Sequence, residues 1–341
     1  MLRSCIIPFI VLVPSALANA AEKPNLIVYT YDSFVSEWGP GPTIKPLFES
    51  ECKCTLNFVP VADGAALLAR LQVEKSSSKA DVVVGIDETL TAMAESFHLF
   101  EDTGIKISNS ILPSGFTPST KFVPFDFGYY SFIFDTKAKT KTGKPYPRPR
   151  SMDELLTLPE LEKSIIIEDP RTSAPGLGLL LWLNARYGEK TPDKLVALKK
   201  QVLTTSRGWS EAYNLFTKGE APIVFSYSTS EAYHRQMDKT DRYNALIFGE
   251  GHYAAIETAA ILNTSKNKNL AKEFIKFLLR IPTQAIIASK NWMYPVTFVG
   301  SGLPPAYAII ATPERTFRLS PEVIQKQRKQ WIQEWQKAFS K

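Results

Sequence analysis

The sequence predicts an α/β protein of two lobes, each a mostly parallel sheet flanked by helices, joined by a hinge that the chain crosses twice. Three observations carry this. Short apolar runs such as NLIVYTY at Asn25–Tyr31 and ADVVVGI at Ala80–Ile86 alternate with helix-forming segments, the rhythm of a doubly wound sheet. One aromatic, alternating run, Phe122–Phe134, is too long for a single short strand, and a second, Ala254–Leu262, reads as its return. The 341 residues suffice for two sizeable cores. The division that follows puts residues 21–127 and 255–341 in lobe 1 and residues 128–254 in lobe 2.

Residues 1–20 read as an export signal. Arg3 is followed by an apolar run from Cys5 to Val13 and by Ala18-Asn19-Ala20, so cleavage is expected after Ala20. No later stretch reaches the roughly 18 apolar residues that span a bilayer, so a soluble exported protein without membrane insertion is expected. Formal net charge is +6, and Arg3 leaves with the signal. The basic residues are dispersed, which speaks against nucleic acid. The mature chain keeps Cys52 and Cys54, two residues apart; in an oxidising compartment they are expected to form a structural disulfide. A metal at this pair needs two further soft ligands, and the only histidines are His98, His234 and His252, so no metal site is expected.

The elements follow in order. Asn25–Tyr31 is a first strand ending in polar and aromatic groups, Tyr31 among them. Trp38–Pro42 turns into a helix through about Phe48, with Pro46 tolerable only in a first turn. Thr55–Pro60 is a second strand, and Asp63 is placed to cap the helix Ala65–Val73. Asp63 and Gly64 then stand at a crevice, where the carboxylate can accept from an amine or amidine-like group. Ala80–Ile86 is a third strand, and Asp87 opens the next helix. In the second lobe, Lys137–Arg150 is an exposed loop, Ser151–Glu154 is a capping box, and Ser164–Glu168 is a buried strand. Thr172 or Ser173 caps the apolar helix that follows, with Ala174 and Pro175 in its first turn. This helix start offers free N–H groups to a phosphate or carboxylate but matches no dinucleotide or Walker fingerprint. Leu270–Leu279, Pro282–Ser289 and a segment from Ser320 to Phe339 are helices; the Ile324, Trp331, Trp335, Phe339 stripe of the last reads as core packing.

The most informative stretch is GWSEAYNLFTKGEAPIVFSYSTSEAY, Gly208–Tyr233. A helix over Ser210–Lys218 leads to a buried strand, Ala221–Tyr227, expected centrally in a parallel sheet, and a new helix opens near Ser228–Glu231. Ligands of parallel α/β sheets bind beyond the carboxyl ends of strands. Trp209, Tyr227 and Tyr233 therefore converge on one crevice and can sandwich a flat or cationic ring. Trp292, in the loop Asn291–Pro295, is a further aromatic candidate for it. An exported, hinged, two-lobed protein with an aromatic crevice is a solute-binding protein.

The segments YTYDSFVSEWGPGP, KADVVVGID, FVPFDFGYYSFIFD, EDPRTSAPGLGLLLW, GWSEAYNLF, FSYSTSEAYH, EGHY and NWMYPV, spread over nearly the whole mature chain, resemble the periplasmic thiamine-binding proteins of bacterial ABC importers. The resemblance implies a type II periplasmic-binding fold, a periplasmic location, and delivery of thiamine, thiamine monophosphate or thiamine diphosphate to an inner-membrane permease with its ATPase. It implies no cofactor, and a monomer is expected. It also implies ring contacts from Trp209, Tyr227 and Tyr233, polar contacts from Asp63, Gly64, Ser173, Ala174, Ser228, Thr229 and Ser230, and Tyr31 and Trp292 near the crevice. The chain departs from the family pattern at Glu231, where a proline is usual, and in the long basic loop Lys137–Arg150; a carboxylate at Glu231 would alter tolerance for phosphorylated ligands. Of the alternatives, a thiaminase-like enzyme needs a crevice cysteine, and only Cys52 and Cys54 are left once Cys5 is removed with the signal. A ferric-ion binder needs paired tyrosines with a histidine or carboxylate. A polyamine binder needs several crevice carboxylates, and Asp63 and Glu231 are the ones in view.

Overall fold

The computed structural model describes residues 23–107, 112–116 and 119–340; the export signal lies outside the described residues. The first half runs β1 (Asn25–Tyr31), α1 (Asp32–Val35), α2 (Gly41–Cys52), β2 (Thr55–Val61), α3 (Gly64–Glu74), β3 (Val82–Asp87), α4 (Thr91–Glu95) and the long β4 (Val123–Asp135). The second holds α5 (Met152–Thr157), β5 (Ile165–Glu168), α6 (Ala174–Tyr187), α7 (Thr191–Gln201), β6 (Val202–Ser206), α8 (Trp209–Thr217), β7 (Ile223–Tyr227), α9 (Ser230–Gln236) and β8 (Tyr243–Leu246). The chain returns through β9 (His252–Ile261) to α10 (Lys268–Leu278), α11 (Ile281–Lys290), β10 (Tyr294–Pro295), β11 (Thr316–Phe317) and α12 (Pro321–Phe339).

The main sheet path is β2-β1-β3-β9-β4-β7-β5-β6. Its outer pairs are parallel: β1 with β2 and β3, and β5 with β6 and β7. The two crossing strands are antiparallel to each other and to their neighbours on this path, while β11 adds to β9 in parallel. β4 pairs β9 over its first part and β7 and β8 over its last, which is what a strand passing from one lobe to the other must do. β7 was expected inside a parallel sheet; it has a parallel neighbour only in β5, because β4 enters from the other half antiparallel to it.

The local chemistry explains the elements. β3 and β5 are buried at every position, hence the apolar runs that fill them up to a buried carboxylate at each carboxyl end, Asp87 and Glu168. In α10, buried Ala271, Phe274, Ile275 and Leu278 recur every three to four residues. Ser151, Ser173 and Ser320 cap α5, α6 and α12 by accepting from the N–H groups of Glu154, Gly176 and Val323. Helix α2 begins earlier and ends later than its apolar pattern suggests, so Pro46 falls inside it. At its end, Cys52 is joined to Cys54 as a disulfide, with Lys53 between them at φ +53°. Helix α12 buries Ile324 and Trp335 and packs on α6 and α7 of the second half as well as α4 of the first, so it straddles the two.

Candidate ligand-binding cleft

A cleft of about 600 Å³ lies between the two halves, at the carboxyl ends of β1, β3 and β7. The halves touch across it. Asp63, at the start of α3, accepts from the Ala174 N–H at 2.7 Å and the Ser173 hydroxyl at 3.0 Å, both at the start of α6. The Ser210 hydroxyl donates to Asp32 at 2.9 Å, and the Trp38 and Trp209 rings lie 6.2 Å apart. This is a closed arrangement. Asp63 thus occupies the expected cap position but does not cap α3: a partner 111 residues away in sequence outcompetes the local N–H groups. Burial pushes its carboxyl up to about 6, against the pull of the Ala174 N–H and the Ser173 hydroxyl.

Aromatic side chains form the walls. Trp209 stacks on Tyr213 (4.8 Å, 22°), and its indole N–H donates to Ser226 at 2.8 Å, which fixes the ring. Ser226 in turn bonds Ser230. Tyr233 meets Trp292 edge-on at 5.6 Å, and Trp292 stacks parallel to Tyr307. Trp292 has φ +55°, a conformation bulky residues avoid, and these ring contacts hold it there. Tyr227, tilted on Tyr130, and Tyr31 complete the surface. Tyr31 passes close over Gly85, whose φ is +100° and where a Cβ would lie 2.3 Å from the ring; the irregularity in β3 at this glycine makes room for the tyrosine.

Of the twelve residues expected at the site, Tyr31, Asp63, Gly64, Ala174, Trp209, Tyr227, Thr229, Ser230, Tyr233 and Trp292 line the cleft. Ser173 and Ser228 are fully buried behind the wall instead. Ser173 spends its hydroxyl on Asp63 and Gly176, and the Ala174 N–H is also held by Asp63, so the start of α6 is not free for an anion. Glu231 does not reach the cleft either: its carboxylate binds Arg235 at 2.8 Å and the Ala245 N–H at 2.9 Å.

Other residues that line the cleft, among them Trp38, Tyr213, Glu257 and Asn291, were not singled out from the sequence. Four carboxylates line the cleft, those of Asp32, Asp63, Asp238 and Glu257, and no Lys or Arg is among its described lining residues. All four are tied to neighbours: Asp32 to Ser210, Asp63 to the start of α6, Asp238 to His234 at 2.6 Å and Glu257 to the Tyr31 hydroxyl. His234 also bonds the Tyr213 hydroxyl at 2.8 Å, and burial lowers its pKa more than Asp238 raises it. The site therefore offers flat faces and negative potential. Neither cysteine lines it, and among the described residues no group of three or more His, Cys, Asp or Glu is arranged to hold a metal.

Two lobes closed over an aromatic, carboxylate-lined cleft, with two strands crossing between them, define a solute-binding protein. Sequence comparison agrees: a model of the family described as bacterial extracellular solute-binding protein matches residues 29–285, and the chain belongs to that family. The chain is 45% identical to the thiamine-binding periplasmic protein of Brucella abortus, covering 95% of each. It is 43% identical to the thiamine-binding periplasmic protein of Escherichia coli over the whole of both chains. Among solved structures, a periplasmic thiamin binding protein superposes with a TM-score of 0.87 at 43% identity, covering 94% of this chain and 97% of that one.

Proposed function

We propose that this protein captures thiamine in the periplasm and delivers it to an inner-membrane ABC permease and its ATPase. The observation that carries the reading is the cleft itself: stacked aromatic walls with carboxylates, and no Lys or Arg among the described lining residues, suit a flat, permanently cationic ring. A cation over an aromatic face contributes about 0.5–2 kcal/mol, more as water is excluded. Relatives at 43–45% identity named for thiamine binding support the choice of ligand. Asp63 accepts from the aminopyrimidine amine through the lone pairs its interlobe bonds leave, and Trp209, Tyr227 and Tyr233 take the rings. Thiamine phosphates are further ligands, with the phosphate toward solvent rather than at the start of α6. The protein binds as a monomer, carries its ligand unchanged and needs no cofactor. Lobe 1 comprises residues 21–127 and 255–341 and lobe 2 residues 128–254, with α12 lying across both.

Isothermal titration with thiamine, spermidine and ferric citrate tests this. One thiamine per chain, recovered intact after overnight incubation, is the expected result. Tighter binding of spermidine or iron, or appearance of cleaved pyrimidine, would overturn it.

A further inference from the structure

At the floor of the cleft, Glu257 on β9 and Asp126 on β4 are register partners on the two crossing strands. The Tyr31 hydroxyl donates to Glu257 at 2.6 Å. The Asn291 side-chain amide donates to Asp126 at 2.7 Å and lies 3.4 Å from Glu257. Glu257 faces the cleft, whereas Asp126 is fully buried behind it with one oxygen lacking any partner. The other ionisable groups acting on Glu257 or perturbed by it are Asp63 at the start of α3, Asp87 on β3, Tyr130 on β4 and Tyr227 on β7. None is a cation. Arg318, the cation on this side, is bonded to Glu88. Two carboxyl groups, one half-buried at the cleft floor and one fully buried behind it, are thus held together with two fixed donors and, among the described residues, no positive charge beside them. Like charges so placed do not both ionise, and burial and crowding accordingly push Glu257 up to about 7 and Asp126 well above the carboxylate range.

We propose that Glu257, backed by Asp126, is the group that reads ligand charge: it selects a cationic ring over a neutral ring of the same shape, and the pair releases a proton when the cation binds. This rests on the thiamine reading and adds to it a specificity residue and a proton linkage. The cation supplies the counter-charge that the site lacks. Because the pair straddles both crossing strands, its charge state is also set where the lobes hinge.

The test compares thiamine with deazathiamine, its neutral thiophene isostere, on the wild-type protein and on Glu257→Gln, which keeps the shape and an acceptor for Tyr31. Wild type should prefer thiamine, and Glu257→Gln should lose about tenfold or more of thiamine affinity while deazathiamine binding, which also reports that the variant is folded, changes little. Thiamine affinity of the wild type should rise between about pH 5.5 and 7.5 with proton release, seen as heats that differ between phosphate and Tris buffers; Glu257→Gln should flatten that slope. Equal losses of both ligands, or an unchanged slope in the variant, would overturn the inference while leaving thiamine binding intact. Wild-type protein that binds neither ligand would instead overturn the functional reading beneath it.

Discussion

Removing the Asp63 carboxylate tests whether it latches the lobes. It bridges them through two bonds, 2.7 Å to the Ala174 N–H and 3.0 Å to the Ser173 hydroxyl, that close only when the cleft closes. A hydrogen bond to a charged group is worth about 1.5–3 kcal/mol, and two give about 3–6. Burial offsets part of this, since the carboxyl stands at about 6 even with these bonds in place. Asp63→Ala relieves that cost but strands two donors, at about 1–3 kcal/mol each. Closure should therefore weaken by about 2–3 kcal/mol, seen as a roughly 30- to 150-fold loss of thiamine affinity by calorimetry at pH 7.5. Ligand-saturated Asp63→Ala should also keep a larger radius of gyration in solution scattering than wild type. Ser173→Ala separates the latch from direct ligand contact, because Ser173 does not face the cleft; it removes one of the two bonds to the carboxylate and should lose affinity about tenfold, at about 1.5 kcal/mol for one charge-assisted hydrogen bond. Full affinity in Asp63→Ala would refute the latch. So would a loss in Asp63→Ala with none in Ser173→Ala, which would assign Asp63 to the ligand alone.

Trp209→Ala should weaken thiamine about 3- to 30-fold through the lost cation–ring contact, and Trp209→Phe should recover most of it, measured by the same titration. Gly85→Ala should lower stability by about 1–3 kcal/mol in urea unfolding, because φ is +100° and the added Cβ would meet the Tyr31 ring at 2.3 Å. The ligand-free protein should melt at higher temperature near pH 5 than near pH 7.5. Its buried carboxyls are raised, Asp63 and Asp87 to about 6 and Glu88 and Glu257 to about 7, so the folded chain holds protons that the unfolded chain has shed above about pH 4.5. That stability is lost as pH rises through 6 and 7; two buried histidines, His252 lowered to about 4 and His234 also lowered by burial, oppose it. Melting that is flat or rises across that window would contradict the buried-acid floor.

What the sequence disclosed follows from range. β1, β3 and the crossings were legible because their burial is written as unbroken or alternating apolar runs. Strands β6 (VLTTS) and β8 (YNAL) were not, being short, half-polar and set by neighbours distant in sequence. Trp209, Tyr227 and Tyr233 could be placed because each sits close to the carboxyl end of one strand. Nothing in the pattern of α8 marks Tyr213 as a cleft residue, and in AAIETAAI the single Glu257 gives no hint that a tyrosine 226 residues away meets it. Capping rules located Asp63, but nothing local reveals that its carboxylate turns across the cleft.

A crystal structure of the protein with thiamine tests the central claim most directly. The account predicts one molecule enclosed by both lobes, its rings against Trp209, Tyr227 and Tyr233 and its thiazolium on the Glu257 side. Thiamine held by one lobe alone, or lying outside this cleft, would contradict it.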